Sequence, residues 1–171
     1  NTNDQFFLDN RMELFIDLVK DENGEWKIYD LTYLDVEFLV SEEVLTADAD
    51  IDANVENAIL GAVEANFEAT AAEDLEGLMA TIDPESPAYD DTAESYGIIF
   101  LLFDFKYEME FVNVITVTDT EAFVYTEQTM KKVDGPMVDD MRTKTVHKLK
   151  KQEDGSWKFY TSYPIATEPL E

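Results

Sequence analysis

His147 is the residue of this sequence best suited to chemistry at neutral pH, because imidazole has an ordinary pKa of about 6.5. It is the only histidine in the chain. Thr143, Thr145 and His147 alternate along a predicted strand and therefore share one of its faces. A histidine among hydroxyls can hold a small ligand, or it can act as an acid or base if a carboxylate with a shifted pKa lies nearby.

The neighbouring predicted strand, Glu121 to Val133, supplies candidate partners for His147. On this strand Glu127 is the candidate carboxylate and Tyr125 a candidate hydrogen-bond donor. The face with Thr126 and Gln128 is smaller and more apolar than the face with Tyr125 and Glu127, so we expect it to be the core face, with Glu127 in solvent. The predicted ligand-binding residues are Thr143, Thr145, His147, Tyr125 and Gln128. The alternative is a histidine that is satisfied by a hydroxyl or carbonyl inside a small core.

A repeated stretch organises the chain around these residues. Residues Arg11–Tyr29 align without a gap over Arg142–Tyr160, 131 positions later, and the tryptophans Trp26 and Trp157 coincide. A period of that size is a domain rather than a solenoid unit of ~20 to 50 residues. We therefore predict a partial domain copy over residues 1–40, a linker over 41–52 and a complete domain over 53–171.

The alignment also compares the two copies face by face. Met12, Leu14 and Ile16 occupy in the first copy the places of Thr143, Thr145 and His147 in the second. Polar side chains have thus replaced apolar ones at three inward positions of the second copy. This exchange predicts a binding cavity around His147.

Periodicity predicts the elements that carry these residues. Alternation favours a β-hairpin from Phe6–Val19 to Trp26–Val40 around an Asn-Gly turn. Apolar residues at every fourth position favour a helix over Ala53–Ala71, and two apparent capping boxes, at Thr70 and Asp91, favour two more helices. In the third helix we expect a buried stripe. Its members are Ile98, Leu101, Leu102 and Phe105.

Four predicted strands complete the second copy. Their ranges are Lys106–Thr118, Glu121–Val133, Val138–Lys151 and Ser156–Pro164. Helices followed by a meander predict an α+β fold, with three N-terminal helices packed on a strongly curved antiparallel sheet. The hairpin of the first copy has an apolar face without helices of its own. We expect it to pack against the second domain or to form a homodimer by strand addition.

The three helices and the bent meander that closes on Gly155-Ser-Trp-Lys158 resemble the nuclear transport factor 2-like superfamily. The resemblance covers Ile51 to Ile165 and implies the cone-shaped, cystatin-like fold of ketosteroid isomerases and polyketide cyclases, whose concave sheet lines a pocket. The superfamily is functionally mixed. The carboxylate, tyrosine and second acid of the ketosteroid isomerases have no matching positions here, so no catalytic residue is carried over.

Composition excludes several classes of partner. The chain holds 39 acidic and 12 basic residues, for a net charge of −27, so nucleic acid and anionic membrane surfaces are not expected as partners. Without cysteine there is no disulfide or zinc-thiolate site. The compartment stays open, although a chain that starts within a repeat favours an upstream segment and a site outside the cytoplasm.

Three aspartates, Asp48, Asp50 and Asp52, are spaced as the start of a calcium loop. Ala53 stands where the loop requires glycine, and Ile59 where it requires glutamate. We therefore expect Asp50 or Asp52 to cap a helix instead. No metal and no cofactor is predicted.

The function that these features favour is a noncatalytic binding or interaction module that holds a small apolar or amphipathic ligand, or a partner chain, at its concave sheet. One alternative is a small isomerase, dehydratase or cyclase with His147 as acid or base. A further alternative is a purely structural role, in which acidic copies are the beads of a surface or assembly protein.

Overall fold

A computed structural model of the chain describes residues 8–170. The chain divides into two units, and the boundary falls between Glu42 and Glu43. Each unit is described by itself. The predicted strand start at Phe6 lies outside the described residues.

The first unit is the predicted antiparallel hairpin, which the structure confirms. Strand β1 spans Asn10–Lys20 and strand β2 spans Trp26–Phe38. In the turn, the Asp21 carboxylate accepts two backbone N–H groups at 2.9 and 3.0 Å. Gly24 has a φ of +80°, a left-handed conformation that glycine adopts without steric cost. Turn chemistry and alternation are thus sufficient to predict the strands and the turn of this unit.

Four helices follow the hairpin, and the first of them begins at the unit boundary. Their bounds are α1 Glu42–Thr46, α2 Ala53–Ala71, α3 Leu75–Ala80 and α4 Tyr89–Leu102. The short helix α1 was not predicted. The Asp52 carboxylate caps α2 by accepting the N–H groups of Asn54 at 2.9 Å and Val55 at 3.3 Å. The predicted cap at the end of the aspartate series is thus confirmed.

Replacing Asp52 by alanine is expected to lower the free energy of unfolding of the second unit by about 1 kcal/mol, because two N–H groups at the start of α2 lose their acceptor. Urea unfolding followed by far-UV circular dichroism measures the change. Asp50→Ala is the matched control, since Asp50 is exposed and its replacement removes the same charge two residues away. Equal losses in the two variants would contradict the capping role.

The two predicted capping boxes are wrong. Thr70 lies inside α2, where its hydroxyl donates to the carbonyl of Asn66 at 2.8 Å. Helix α3 is capped instead by Asp74, whose carboxylate accepts the N–H of Gly77 at 3.0 Å. Helix α4 begins at Tyr89 and has no side-chain cap. Both segments match the capping-box pattern, but α3 begins at Leu75 and α4 begins at Tyr89, so neither box lies at a helix start.

The predicted buried stripe of α4 is also wrong. Ile98, Leu101 and Leu102 are 50, 81 and 49% exposed, and Phe105 belongs to the following strand. Thr92 and Tyr96 instead face a cavity inside the unit. Apolar periodicity shows that a helix has two unlike faces, but the neighbouring elements decide which face turns inward.

The sheet of the second unit is the predicted antiparallel meander, in the order β3-β4-β5-β6. Its strands are β3 Asp104–Val117, β4 Glu121–Asp134, β5 Met141–Lys151 and β6 Trp157–Pro169. Register shifts interrupt β3 and β6, and such bulges bend a sheet. The predicted α+β class with helices on a curved antiparallel sheet is confirmed.

The core of the second unit lies between α2 and the sheet. Ile59 and Val63 of α2 pack with Leu149 of β5 and with Trp157 and Phe159 of β6. These side chains are all less than a tenth exposed. Among the described residues, no helix combines the length and the hydropathy needed to cross a bilayer.

Candidate functional site

A cavity of about 400 Å³ lies in the second unit between its helices and the concave face of the sheet. Helix α2 contributes Val63, Asn66, Phe67 and Thr70 to its wall. The volume falls within the usual range of ~300 to 1,000 Å³ for small-ligand sites. The cavity is therefore large enough for a molecule of one or two rings.

Four of the five predicted site residues line this cavity. Gln128 of β4 and Thr143, Thr145 and His147 of β5 all contribute to its wall. They share a face because strand alternation places them there, as the sequence predicts. Their role in binding stays a prediction.

Tyr125 is the exception among the predicted residues. It is not among the residues that line the cavity, and it is 1% exposed. Its hydroxyl donates to Glu127 at 2.7 Å, and its ring lies 6.0 Å from that of Phe111. Because Tyr125 is one position out of phase with Thr126, it points to the opposite face of the sheet. Tyr125 therefore lies outside this cavity, and its role in binding stays a prediction.

His147 is held on the cavity wall by two hydroxyls. Its Nε2 lies 2.9 Å from Thr126 Oγ1, and its Nδ1 lies 2.8 Å from Ser162 Oγ. The edge of its ring meets Phe159, with centroids 5.1 Å apart. Burial lowers the pKa of His147 to about 4, because no counter-charge compensates the lost hydration of the imidazolium. The ring is therefore neutral at pH 7, with one nitrogen donating and the other accepting.

No Asp, Glu, Lys or Arg is among the described residues that line the cavity. Besides the imidazole of His147, the polar part of the wall consists of hydroxyls and two side-chain amides. They belong to Asn66, Thr70, Ser86, Thr92, Tyr96, Thr126, Gln128, Thr143, Thr145, Tyr160, Thr161 and Ser162. Burial also raises the pKa of the Tyr96 phenol, which keeps it protonated. The cavity can therefore donate and accept hydrogen bonds but offers no charge.

Sequence reasoning missed Ser162, Asn66 and Tyr96. Ser162 sits directly opposite His147 in the β5–β6 register, so correct pairing of the predicted hairpin would have found it. Tyr96 follows Ala88 and Thr92 at four-residue spacing, a signal that the apolar stripe of α4 concealed. Asn66 carries no distinct signal in the sequence, and its amide donates to Thr81 Oγ1 at 2.7 Å.

Within residues 8–170, no group of three His, Asp or Glu side chains is arranged to hold a metal ion.

The second unit also carries an ion pair on the other face of the sheet. Arg142 of β5 reaches over Thr129 of β4 and donates to Glu110 of β3 at 2.7 and 3.2 Å. This pair ties three strands together away from the cavity.

Comparison with known proteins relates this chain to one family. A family model described as "Anti-sigma-I factor RsgI9, C-terminal domain" matches residues 62–170. A search of the curated proteins returned no significant match.

Solved structures resemble this chain at low sequence identity. A ketosteroid isomerase-like protein from Erwinia carotovora atroseptica is 22% identical with a TM-score of 0.52, over 71% of this chain and 99% of that one. A cystatin-like protein of unknown function from Nostoc punctiforme is 12% identical with a TM-score of 0.54, over 67 and 92%. An NTF2-like family protein from Streptomyces avermitilis, whose name proposes a dehydratase, is 19% identical with a TM-score of 0.50, over 68 and 97%. At these identities the likeness establishes the fold alone, and it confirms the predicted nuclear transport factor 2-like fold.

Proposed function

Since this chain belongs to the family of the C-terminal domain of the anti-sigma-I factor RsgI9, we propose that its second unit is a noncatalytic binding module. Its ligand is a small uncharged molecule with an apolar part and a hydrogen-bonding part, held in the cavity on the concave sheet. The observation that carries this proposal is the wall of the cavity, which is rich in hydroxyls and free of charged side chains.

The apolar part of the ligand has a defined place. Val63, Phe67, Leu78, Met109 and Phe159 bring aliphatic and aromatic surface to the cavity wall. Burial of apolar area there contributes ~25 cal/mol per Å². A ring system of modest size could thus gain several kcal/mol before any hydrogen bond forms.

The polar part of the ligand would meet the sheet. Gln128, Thr143 and Thr145 contribute a side-chain amide and two hydroxyls to the cavity wall. An ionised group on the ligand would lose its hydration here without gaining a partner of opposite charge, which costs several kcal/mol. The chemistry of the wall thus selects neutral over charged ligands.

The enzymatic alternative depends on His147, and the surroundings of this residue disfavour it. A base with a pKa of about 4 accepts protons poorly at neutral pH. Both of its nitrogens already bond hydroxyls, and no carboxylate among the described lining residues orients or charges the ring. A histidine so placed serves hydrogen bonding better than proton transfer.

The matched probes 2-naphthol and 2-naphthoate test this proposal on the full chain. We expect 2-naphthol to bind at least ~10-fold more tightly, because only the naphthoate carries a charge into the cavity. Isothermal titration calorimetry gives the two affinities, and chemical-shift changes locate the binding site. Similar affinities for the two probes would contradict an uncharged site.

Three variants connect that binding to the cavity. Thr143→Phe fills the space and is expected to weaken 2-naphthol binding ~10-fold, whereas Thr120→Phe at an exposed turn should leave it unchanged. His147→Gln keeps a donor and an acceptor and should alter affinity only a few-fold. Unchanged binding in Thr143→Phe would place the naphthol elsewhere and overturn the proposal.

A further inference from the structure

The hairpin β1–β2 reproduces the cross-strand register of β5–β6 residue for residue. Asn10 pairs with Phe38 as Met141 pairs with Pro169, and every pair up to Lys20 with Trp26 recurs at the same offset. Both register shifts recur as well. They fall at Glu13/Leu14 and Asp17/Leu18 in one hairpin, and at Lys144/Thr145 and Lys148/Leu149 in the other. Because bulges set the bend and twist of a ribbon, the two hairpins share one shape.

Equivalent apolar side chains of the two hairpins differ sharply in exposure. Leu149 and Trp157 are 0 and 5% exposed, whereas Leu18 and Trp26 are 51 and 63% exposed. In the second unit, Ile59 of α2 is among the residues that cover this face. The first unit has no helix among its described residues before Glu42.

The uncovered face of β1–β2 is almost wholly apolar. Cross-strand pairs place the members of this apolar face together: Met12 with Val36, Leu14 with Tyr33, Ile16 with Leu31, and Leu18 with Ile28. The opposite face carries acidic residues, with Glu13 paired to Asp35 and Asp17 to Asp30. Contiguous exposed apolar patches of more than a few hundred Å² mark interaction sites. An exposed apolar face of this kind is therefore typical of an interaction surface.

The free edge of β1 shows what kind of strand belongs there. Its counterpart β5 pairs along that edge with β4, where Lys144 lies opposite Glu127 and Lys148 bonds Glu121 at 2.7 Å. At the positions of Lys144 and Lys148, strand β1 carries Glu13 and Asp17. The charges at these two positions are thus reversed, whereas Arg11 and Lys20 keep the sign of Arg142 and Lys151. At the two reversed positions, a strand with basic residues complements β1 where an acidic strand complements β5.

We propose that β1–β2 is the closing hairpin of a second nuclear transport factor 2-like unit, and that it docks on a basic-stranded polypeptide. That polypeptide supplies an amphipathic helix for the apolar face and a strand with Lys or Arg facing Glu13 and Asp17. A second copy of this chain fits poorly at these two positions, because it would bring Glu121 and Glu127, or its own Glu13 and Asp17, toward Glu13 and Asp17. The proposal stands independently of the ligand in the cavity.

A fusion protein tests this proposal, because it places a copy of β4 beside β1 in the register that β4 and β5 use. A copy of residues 43–131 is placed directly before Asn1 of the full chain, which repeats the natural spacing between β4 and β5. One version keeps glutamate at 121 and 127 of the added copy, and the other carries Glu121→Lys and Glu127→Lys there. The added copy contains no tryptophan. In a Trp157→Phe background, fluorescence therefore reports Trp26 alone.

We expect the lysine version to slow hydrogen exchange of β1 amides by at least ~100-fold relative to the unfused chain, because the outer edge and apolar face become covered. Trp26 emission should shift to the blue. The glutamate version should protect β1 less, since like charges then face each other. Exchange in β5, measured with Trp157 intact, checks that the second unit is folded in every chain.

Three results would overturn the proposal. In one, both fused chains leave β1 and Trp26 as exposed as in the unfused chain. In another, the amides of β1 are already protected from hydrogen exchange in the unfused chain. If light scattering then shows a dimer, a second copy covers the hairpin; if it shows a monomer, the second unit covers it. In the third, the glutamate and lysine versions protect equally, so the charge reversal has no role.

Discussion

Leu149→Ala is expected to lower the free energy of unfolding of the second unit by about 3 kcal/mol, one of the two largest effects that we predict. Leu149 is fully buried, and it belongs to the cluster formed by Ile59, Val63, Trp157 and Phe159. Truncating a buried leucine removes transfer free energy and leaves a cavity, which together cost ~2 to 5 kcal/mol. Urea unfolding followed by Trp157 emission in a Trp26→Phe background measures the change.

The chain supplies its own control for that substitution. Leu18 occupies the equivalent place in the first hairpin, with the equivalent cross-strand partner, but it is half exposed. Leu18→Ala should therefore cost less than about 1 kcal/mol, because little apolar surface returns to water. Similar losses for the two leucines would mean that the hairpin is buried in solution.

The second large effect is a pH dependence that arises from His147. Its pKa is about 4 in the folded chain and about 6.5 in the unfolded chain, so between these values the unfolded state binds more protons. Stability therefore rises with pH across this window. The contribution is complete above pH ~6.5 and is lost as the pH falls through 4, by about 3 kcal/mol in all.

His147→Gln isolates this effect from the many carboxylates that titrate near pH 4. The carboxylates are common to both chains, so the difference between the two unfolding free energies reports the histidine. Urea unfolding at intervals from pH 4 to pH 7.5 should show a difference that favours the native chain increasingly as the pH rises. A constant difference would mean that the imidazole is charged as readily inside the fold as outside it.

Alternation predicted the strands and the inward face of β5, because side-chain direction in a strand depends only on sequence parity. Thr143, Thr145 and His147 line the cavity for that reason. The same rule, applied to β4, separates Gln128 from Tyr125. Tyr125 is an odd number of positions from Gln128 and therefore faces away from the cavity.

Helix starts and helix orientation were less accessible to prediction. The Thr70 and Asp91 patterns satisfy a local rule, but α3 is capped by Asp74 and α4 starts after the connection that follows α3. There, Ser86 donates to the carbonyl of Tyr160 at 2.7 Å, a contact between residues far apart in sequence. Long-range contacts of this kind leave no mark on local periodicity. The cavity volume and the neutrality of His147 likewise depend on several elements at once.

Helix α4 closes the cavity with Thr92 and Tyr96, yet none of its residues is fully buried. An element anchored so weakly can swing outward at small cost in free energy, because few apolar contacts are lost. The proposed binding site therefore has one weakly buried wall, α4, opposite the well-packed sheet. For the proposed ligand, we therefore expect outward displacement of α4 to be the route of entry and release.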